Sequence, residues 1–151
     1  MGRHRLYLER REEVMGTVIR PELSKSNKYW ISKNRYYELK YFCLQYPEWK
    51  KSYLGLDEDT LFSNIAVGQN TSDISVPTEK LAMVRMKYKE KMMLVERMAK
   101  ESDPDLGDYI FKAVTEGLSF THMKTLLNIP CSRDTYYDRY RKFFWLLNKV
   151  K

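Results

Sequence analysis

Basic and hydroxyl-bearing side chains are concentrated in the stretch that follows Pro130. Between Ser132 and Lys142, arginine and lysine are interspersed with threonine and tyrosine. Arginine bonds bidentately to guanine, the threonine methyl group contacts thymine, and lysine neutralises phosphates, so this mixture is typical of a surface that binds nucleic acid. Ser132 is a good N-cap, which predicts that the stretch is helical. The candidate contacts on this helix are Ser132, Arg133, Thr135, Tyr137, Arg139, Tyr140, Arg141 and Lys142.

A shorter helix is predicted just before this one. Ser119 suits the N-cap of a helix over residues 120–127. Asn128 tolerates the left-handed conformation that sharp turns often need, and Pro130 stops the first helix from continuing. The apolar residues spaced to bury against the neighbouring helices are Leu118, Met123, Leu126, Leu127 and Ile129.

Two helices joined by a tight turn over residues 117–149 have the layout of a helix-turn-helix. In that motif the first helix braces against the phosphate backbone, and the start of the second meets base edges in the major groove. The alternative is a plain helical hairpin that serves protein contacts, with the bulky run Phe143–Leu147 as core or interface. The candidate phosphate contacts on the bracing helix are Thr121, His122 and Lys124.

Charge is distributed unevenly along the chain. The 151 residues, the size of a single domain, carry a net charge of +7. Residues 1–56 hold 12 Lys and Arg against 6 Asp and Glu, residues 57–116 hold 8 against 12, and residues 117–151 hold 7 against 2. Two basic ends therefore flank an acidic middle, which favours an anionic partner such as double-stranded DNA.

The rest of the chain predicts an all-α fold, since no stretch alternates with the period of a strand. Residues 1–28 read as a flexible basic arm, 29–62 as an N-terminal helical region, 63–77 as a linker rich in Ser, Asn and Gly, and 78–151 as the helical DNA-binding unit. Within the N-terminal region, Ser32 opens one helix and Pro47 begins a short second one.

A long helix is predicted from Thr78 to Glu101. Its apolar stripe is formed by Leu81, Val84, Tyr88, Met92, Val95 and Ala99, and Met83, Met86, Met93 and Met98 widen it. Such a stripe is either core or a surface for another subunit or partner, because methionine is common in both places. Asp103 and Pro104 then predict the start of a further helix that ends at Gly117. The candidate interface residues are Trp49, Tyr53, Met86, Met93, Phe144 and Trp145.

Enzymatic function is not expected. His4 and His122 are the only histidines, and neither lies at a metal-ligand spacing from Cys43 or Cys131. No glycine-rich phosphate loop is present, so neither a metal nor a cofactor is predicted. No apolar run is long enough to cross a membrane and no signal peptide is evident, which predicts no membrane partner and a cytoplasmic location.

The C-terminal residues resemble a known family of DNA-binding regions. Gly117–Ser119, the Leu126–Pro130 turn, and Thr135-Tyr136 followed by Arg139 are similar to the region of sigma factors that reads the −35 promoter element. The last helix aligns with that region only after a two-residue insertion in the turn. The resemblance implies DNA recognition by the second helix, with altered base contacts.

The order of parts also resembles phage transcriptional regulators of the RinA/ArpU kind in Firmicutes. The shared features are a front helix at Arg35–Lys40, a corner at Tyr46–Lys50, a long middle helix and the terminal helix-turn-helix. This resemblance spans about residues 30–151. It implies a viral, prophage-borne DNA-binding protein that regulates transcription.

Two hypotheses of different classes follow. The leading one is a DNA-binding transcriptional regulator of a phage or mobile element, which contacts RNA polymerase or forms a homo-oligomer through the Met-rich helix or the N-terminal helices. The alternative is a prophage-encoded inhibitor of a host nucleic-acid-guided defence nuclease, which grips a nucleoprotein complex through basic, aromatic-rich faces. The net charge of residues 1–56 fits this alternative well. A DNA-packaging subunit is a third use of the same motif.

Overall fold

Helices account for the regular structure of the residues that can be described. The computed structural model describes residues 25–66 and 75–151, and within them no strand occurs. The all-α prediction is therefore confirmed. Most of the predicted arm and the middle of the predicted linker lie outside the described residues. The helices are α1 Lys33–Leu44, α2 Tyr46–Ala66, α3 Ser75–Ser102, α4 Gly107–Glu116, α5 Phe120–Leu127 and α6 Arg133–Val150.

Helix α1 begins and ends close to where the sequence predicts. Ser32 occupies the N-cap position with an extended backbone, although its side chain makes no capping bond. Spacings of three and four residues place Tyr36, Leu39 and Cys43 on one buried face. Gln45 separates α1 from α2, and Pro47 lies in the first turn of α2, where its missing N–H has no intrahelical partner to lose.

Helices α2 and α3 pack against each other as an antiparallel pair. The Tyr46 hydroxyl of α2 donates to the Glu96 carboxylate of α3. One helical turn further, the Lys91 ammonium lies 5.5 Å from the centre of the Trp49 ring. Beyond it, the Arg85 guanidinium lies 4.5 Å from the centre of the Tyr53 ring. Trp49 and Tyr53 thus share a face, as their spacing predicts, and their neighbour is α3 of the same chain.

Helix occupies both ends of the predicted linker. Residues 63–66 belong to α2 and residues 75–77 belong to α3, so only residues 67–74 remain between the helices. No proline or glycine interrupts residues 56–66, and α2 continues past the predicted short helix. The regions 29–62 and 78–151 are not separate units, because buried residues of both form one hydrophobic core.

Aromatic rings form the centre of that core. Tyr36 of α1 packs edge-on against Phe144 of α6, with ring centres 5.0 Å apart. The ring centre of Tyr140 lies 4.9 Å from that of Phe144. The Tyr36 and Tyr140 hydroxyls are hydrogen-bonded to each other at 3.1 Å, across 104 positions of sequence. This pairing satisfies two polar atoms that would otherwise be costly to bury, and it ties α1 to α6.

Alkaline conditions are expected to destabilise the fold through these tyrosines. Burial raises the pKa of the Tyr36 hydroxyl to about 12 and holds the pKa of Tyr140 well above its usual value. The unfolded chain releases these protons near pH 10, whereas the folded chain retains them, so the free energy of unfolding falls as pH rises from about 10 to 12. Urea midpoints at about pH 8 and pH 11 measure the effect. Tyr36→Phe should reduce the drop and the exposed Tyr41→Phe should not; equal reductions would contradict this account.

The apolar stripe of α3 is buried only near its C-terminal end. Val95, Met98 and Ala99 are in the core, but Val84 is exposed, because the first half of α3 extends past α4 and α6. The prediction that the methionines widen this stripe is wrong for three of them. With about 100° of rotation per residue, Met83, Met86 and Met93 lie on the opposite side of the helix, and all three are exposed.

A tight turn connects α3 to α4. The Asp103 carboxylate accepts hydrogen bonds from the N–H groups of Asp105 and Leu106, at 2.8 and 3.0 Å. Asp103 therefore caps the chain as predicted, but Pro104 starts a turn, and α4 begins three residues later at Gly107. A Cβ atom at Gly107 would lie 3.0 Å from the carbonyl oxygen of Ala99 and 3.1 Å from the Cα atom of Lys100. Glycine therefore fits this close approach of α4 to α3, and a larger residue would require the two backbones to separate by a few tenths of an ångström.

Two glycine substitutions are expected to have opposite effects. Gly107→Ala should lower the free energy of unfolding by about 1–3 kcal/mol, because the new methyl group meets backbone that cannot move aside cheaply. Gly55→Ala, in the interior of α2 with nothing within 4 Å of the added methyl, should raise it by about 0.5–1 kcal/mol. Urea unfolding of both variants tests the pair, and a stabilising Gly107→Ala would contradict the described packing.

Candidate nucleic-acid interface

Helices α4 and α5 are joined by a left-handed glycine. Gly117 has φ 71°, and the N–H groups of Gly117 and Leu118 bond to the carbonyl oxygen of Ala113. The Ser119 hydroxyl then accepts a hydrogen bond from the His122 N–H at 3.2 Å, which caps α5. The predicted end of α4 and the predicted bounds of α5 are both confirmed.

The turn between α5 and α6 has the predicted local structure. Asn128 is left-handed, with φ 49° and ψ 48°. The Ile129 N–H bonds back to the carbonyl oxygen of Met123 at 3.3 Å, and both of these side chains are completely buried. The Ser132 hydroxyl accepts from the Thr135 N–H at 3.3 Å and caps α6. The prediction that Leu126 is buried is wrong: it is 66% exposed, because Met123 and Leu127 occupy the inward positions of this short helix.

The outer face of α5 carries the predicted bracing residues. Thr121, His122 and Lys124 are all exposed. The Lys124 ammonium donates to the carbonyl oxygen of Ile129 at 3.2 Å, so it is held beside the turn. This position leaves the ammonium near the start of α6.

The first half of α6 presents polar side chains to solvent. Ser132, Arg133 and Thr135 are exposed, and the Arg133 guanidinium lies 5.6 Å from the centre of the Tyr137 ring. Arg141 and Lys142 follow on the same helix and are half-buried.

Two acidic residues interrupt this basic surface. Asp134 is exposed and Asp138 is half-buried beside the Arg139 guanidinium, at 3.6 Å. Neither was predicted as a site residue from the sequence. A carboxylate accepts a hydrogen bond from the cytosine amino group and repels phosphates, so on a DNA-binding surface such residues would favour base reading over indiscriminate backbone binding.

One of the predicted contacts belongs to the interior, and another is paired within the chain. Tyr140 is buried, with its hydroxyl on Tyr36, and cannot reach a nucleic acid in this fold. The Arg139 Nε atom lies 3.2 Å from a carboxylate oxygen of Asp103, whose other oxygen caps the turn before α4. Arg139 thus attaches α6 to the α3–α4 turn. The inward face of α6 repeats at spacings of three and four residues, and Tyr140 falls on it together with Tyr136 and Phe144.

Tyr137 lies between the surface and the core. Its ring centre is 6.3 Å from Phe120 of α5 and 5.1 Å from Tyr136. The side chain is half-buried, so its exposed edge lies at the seam between α5 and the start of α6. It positions the two helices relative to each other and remains at the surface beside Arg133.

The second half of α6 is covered by the chain just before α1. Tyr29 is buried and packs edge-on against Trp145, with ring centres 5.4 Å apart. The Lys149 ammonium lies 3.3 Å from the centre of the Trp145 ring. Near the end of the helix, Arg35 Nε donates to the Asn148 side chain at 2.7 Å. The contact of Tyr29 with Trp145 was not predicted from the sequence. The apolar residues Tyr29 and Ile31 just before α1, both buried in the structure, were the sequence signal that could have indicated it. These contacts cover one face of the second half of α6, whereas Arg133 and Thr135 in its first turn are exposed.

The predicted interface residues divide into three groups. Trp49 and Phe144 are core residues, which corrects the prediction for both, because other helices of the same chain pack on them. Tyr53 and Trp145 are half-buried under Arg85 and Lys149. Met86 and Met93 remain exposed and available.

No family model, curated protein or solved structure matches this chain. Over residues 25–66 and 75–151, no helix is both long enough and apolar enough to span a bilayer. The same residues contain no group of three or more His, Cys, Asp or Glu side chains placed to hold a metal ion. The surface formed by α5 and the first half of α6 is thus the best-defined candidate site.

Proposed function

We propose that this protein is a DNA-binding transcriptional regulator encoded by a phage or mobile element and acting in the bacterial cytoplasm. The start of α6 would enter the major groove of duplex DNA, and α5 would brace on the phosphate backbone. The reading residues would be Ser132, Arg133 and Thr135, with Arg141, Lys142 and Lys124 on phosphates.

One observation carries this proposal more than the others. The turn at Asn128 and the caps at Ser119 and Ser132 join the two helices, and exposed polar residues of α5 and of the first turn of α6 lie on either side of this turn. The N-terminal residues of the second helix are those that reach base edges in a helix-turn-helix. Residues 117–151, which include this junction, have 7 basic and 2 acidic side chains, and this excess supports attraction to DNA.

Selection of bound sequences from random duplex DNA tests the proposal. We expect enrichment of one motif, with loss of preference at one position when Arg133 is replaced by alanine, since a bidentate contact to guanine contributes about 1–3 kcal/mol of discrimination. Lys112→Ala, an exposed substitution on α4, serves as the control and should select the same motif as the wild type.

A selection that enriches no DNA motif would change the proposed function. If no motif is enriched, sequence reading is refuted and the defence-nuclease inhibitor becomes the better hypothesis. A pulldown from nuclease-treated host lysate then distinguishes the two, since an inhibitor retains one stoichiometric protein partner and a DNA-dependent complex is lost.

A further inference from the structure

The face of α3 that points away from its own chain is unusually rich in methionine. Met83, Met86 and Met93 are 63%, 62% and 55% exposed. The opposite side of the helix is defined by Arg85 and Lys91, which lie over aromatic rings of α2. Large apolar side chains grouped on one exposed helix face mark a surface for another molecule more often than scattered ones do.

These methionines belong to a longer regular pattern. Going along α3, positions separated by four, three, four, three and four residues all fall on this outer face, and all are exposed. A repeat of three and four is the seam along which two helices pack as a coiled coil. We call this row the α3 seam; its residues are Glu79, Met83, Met86, Glu90, Met93 and Arg97.

We propose that the α3 seam binds the α3 seam of a second copy of this chain, in antiparallel orientation, with the two helices crossing at the level of Tyr88. Met83 lies five residues before Tyr88 and Met93 lies five residues after it. An antiparallel pair centred there places Met83 of one chain against Met93 of the second copy, and this apolar layer occurs twice by symmetry.

Charge complementarity selects this orientation and register. Glu79 lies nine residues before the centre and Arg97 nine after it, so opposite charges meet at both ends of the pair. Glu90 lies opposite Met86 of the second copy, and Lys87 and Lys89 of that copy flank its carboxylate. A parallel pair would instead set Glu79, Glu90 and Arg97 each against its own equivalent, which is repulsive. Moving the antiparallel register by one heptad would put Arg97 and Lys100 on methionines in one direction and Glu79 on Glu90 in the other.

The seam residues are free to make these contacts. Arg97 Nε lies 4.0 Å from a Glu101 oxygen in a pair that is more than half exposed, and such pairs stabilise little. The seam also lies on the other side of α3 from Val95, Met98 and Ala99, which face the core. Pairing through the seam would thus leave the α5–α6 surface uncovered, and it does not depend on what that surface binds.

Sedimentation equilibrium of the full chain over a range of concentrations tests the proposal. We expect a reversible dimer whose dissociation constant rises by about tenfold or more in Glu79→Arg and in Arg97→Glu, because each change turns two attractive contacts into repulsive ones. Combining both changes in one chain restores opposite charges and should return the dissociation constant close to that of the wild type.

An apolar pair of variants checks the methionine layer. Met93→Glu should abolish the dimer, and Leu126→Glu, an equally exposed apolar position on α5, should leave it intact. A wild-type chain that stays monomeric at every concentration would overturn the proposal. The proposal would also be overturned if the single charge reversals left the dissociation constant unchanged, or if the double variant dimerised as weakly as the single variants. If the wild-type chain is monomeric and Met93→Glu lowers its urea midpoint, the α3 seam is covered by another segment of the same chain.

Discussion

Replacing Phe144 by alanine is expected to lower the free energy of unfolding by about 3–5 kcal/mol. Phe144 is 1% exposed and its ring centre lies 4.9–5.0 Å from those of Tyr36, Phe143 and Tyr140. Truncation removes buried apolar surface and leaves a cavity between α1 and α6, which the surrounding rings can fill only in part. Urea unfolding followed by circular dichroism measures the change.

Val150→Ala provides the matched control for that variant. Val150 is on the same helix but is exposed, so its truncation should change the free energy of unfolding by less than about 0.5 kcal/mol. Since typical domains are stable by only about 5–15 kcal/mol, the Phe144 variant is expected to be partly unfolded on mild heating. Equal effects of the two substitutions would mean that α6 does not pack on α1 as described.

Removing three positive charges from the first half of α6 is the second change with a large expected effect. In Arg133→Ala, Arg141→Ala, Lys142→Ala, affinity for duplex DNA should fall on the order of a hundredfold at moderate salt, since each cation that contacts a phosphate releases counterions. The slope of log affinity against log salt should decrease by about 0.9 for each phosphate that is no longer neutralised, or about 1.8 for Arg141 and Lys142, which are proposed to contact phosphates. Fluorescence anisotropy at several salt concentrations gives both quantities.

A control with the same net charge separates local contacts from overall attraction. Lys50, Lys100 and Lys112 are exposed on α2, α3 and α4, away from the α5–α6 surface, and their joint replacement by alanine also removes three charges. This control should bind DNA with nearly the wild-type slope. If both triple variants lose the same affinity, the basic protein attracts DNA without using α6.

Local sequence signals predicted the helix boundaries well where a single residue determines the backbone conformation or the capping bond at the end of a helix. Gly117 and Asn128 adopt the left-handed conformation, and Ser119 and Ser132 accept capping bonds, because these side chains act on their own neighbours. The same local reasoning placed the start of α4 too early. Pro104 is compatible with a helix or with a turn, and α4 begins instead at Gly107, where it lies close to the backbone of α3.

Long-range contacts explain the errors in the candidate site. Tyr140 and Arg139 look like DNA contacts from their types and neighbours in sequence, but Tyr140 is bonded to Tyr36 and Arg139 is paired with Asp103. Neither partner lies nearby in sequence, and helical periodicity alone does not say which side of an amphipathic helix with tyrosines on several faces is buried. The contact between Tyr29 and Trp145 was not predicted for the same reason, because the two residues lie far apart in sequence.

The most direct test of the proposed DNA-binding surface is an NMR titration of the isotope-labelled full chain with a short DNA duplex. Our account predicts that the largest amide shifts cluster at residues 119–124 and 132–142, with small shifts along α2 and in the core. Shifts concentrated elsewhere, or no shifts at duplex concentrations above about 0.1 mM, where even non-specific complexes form, would contradict it.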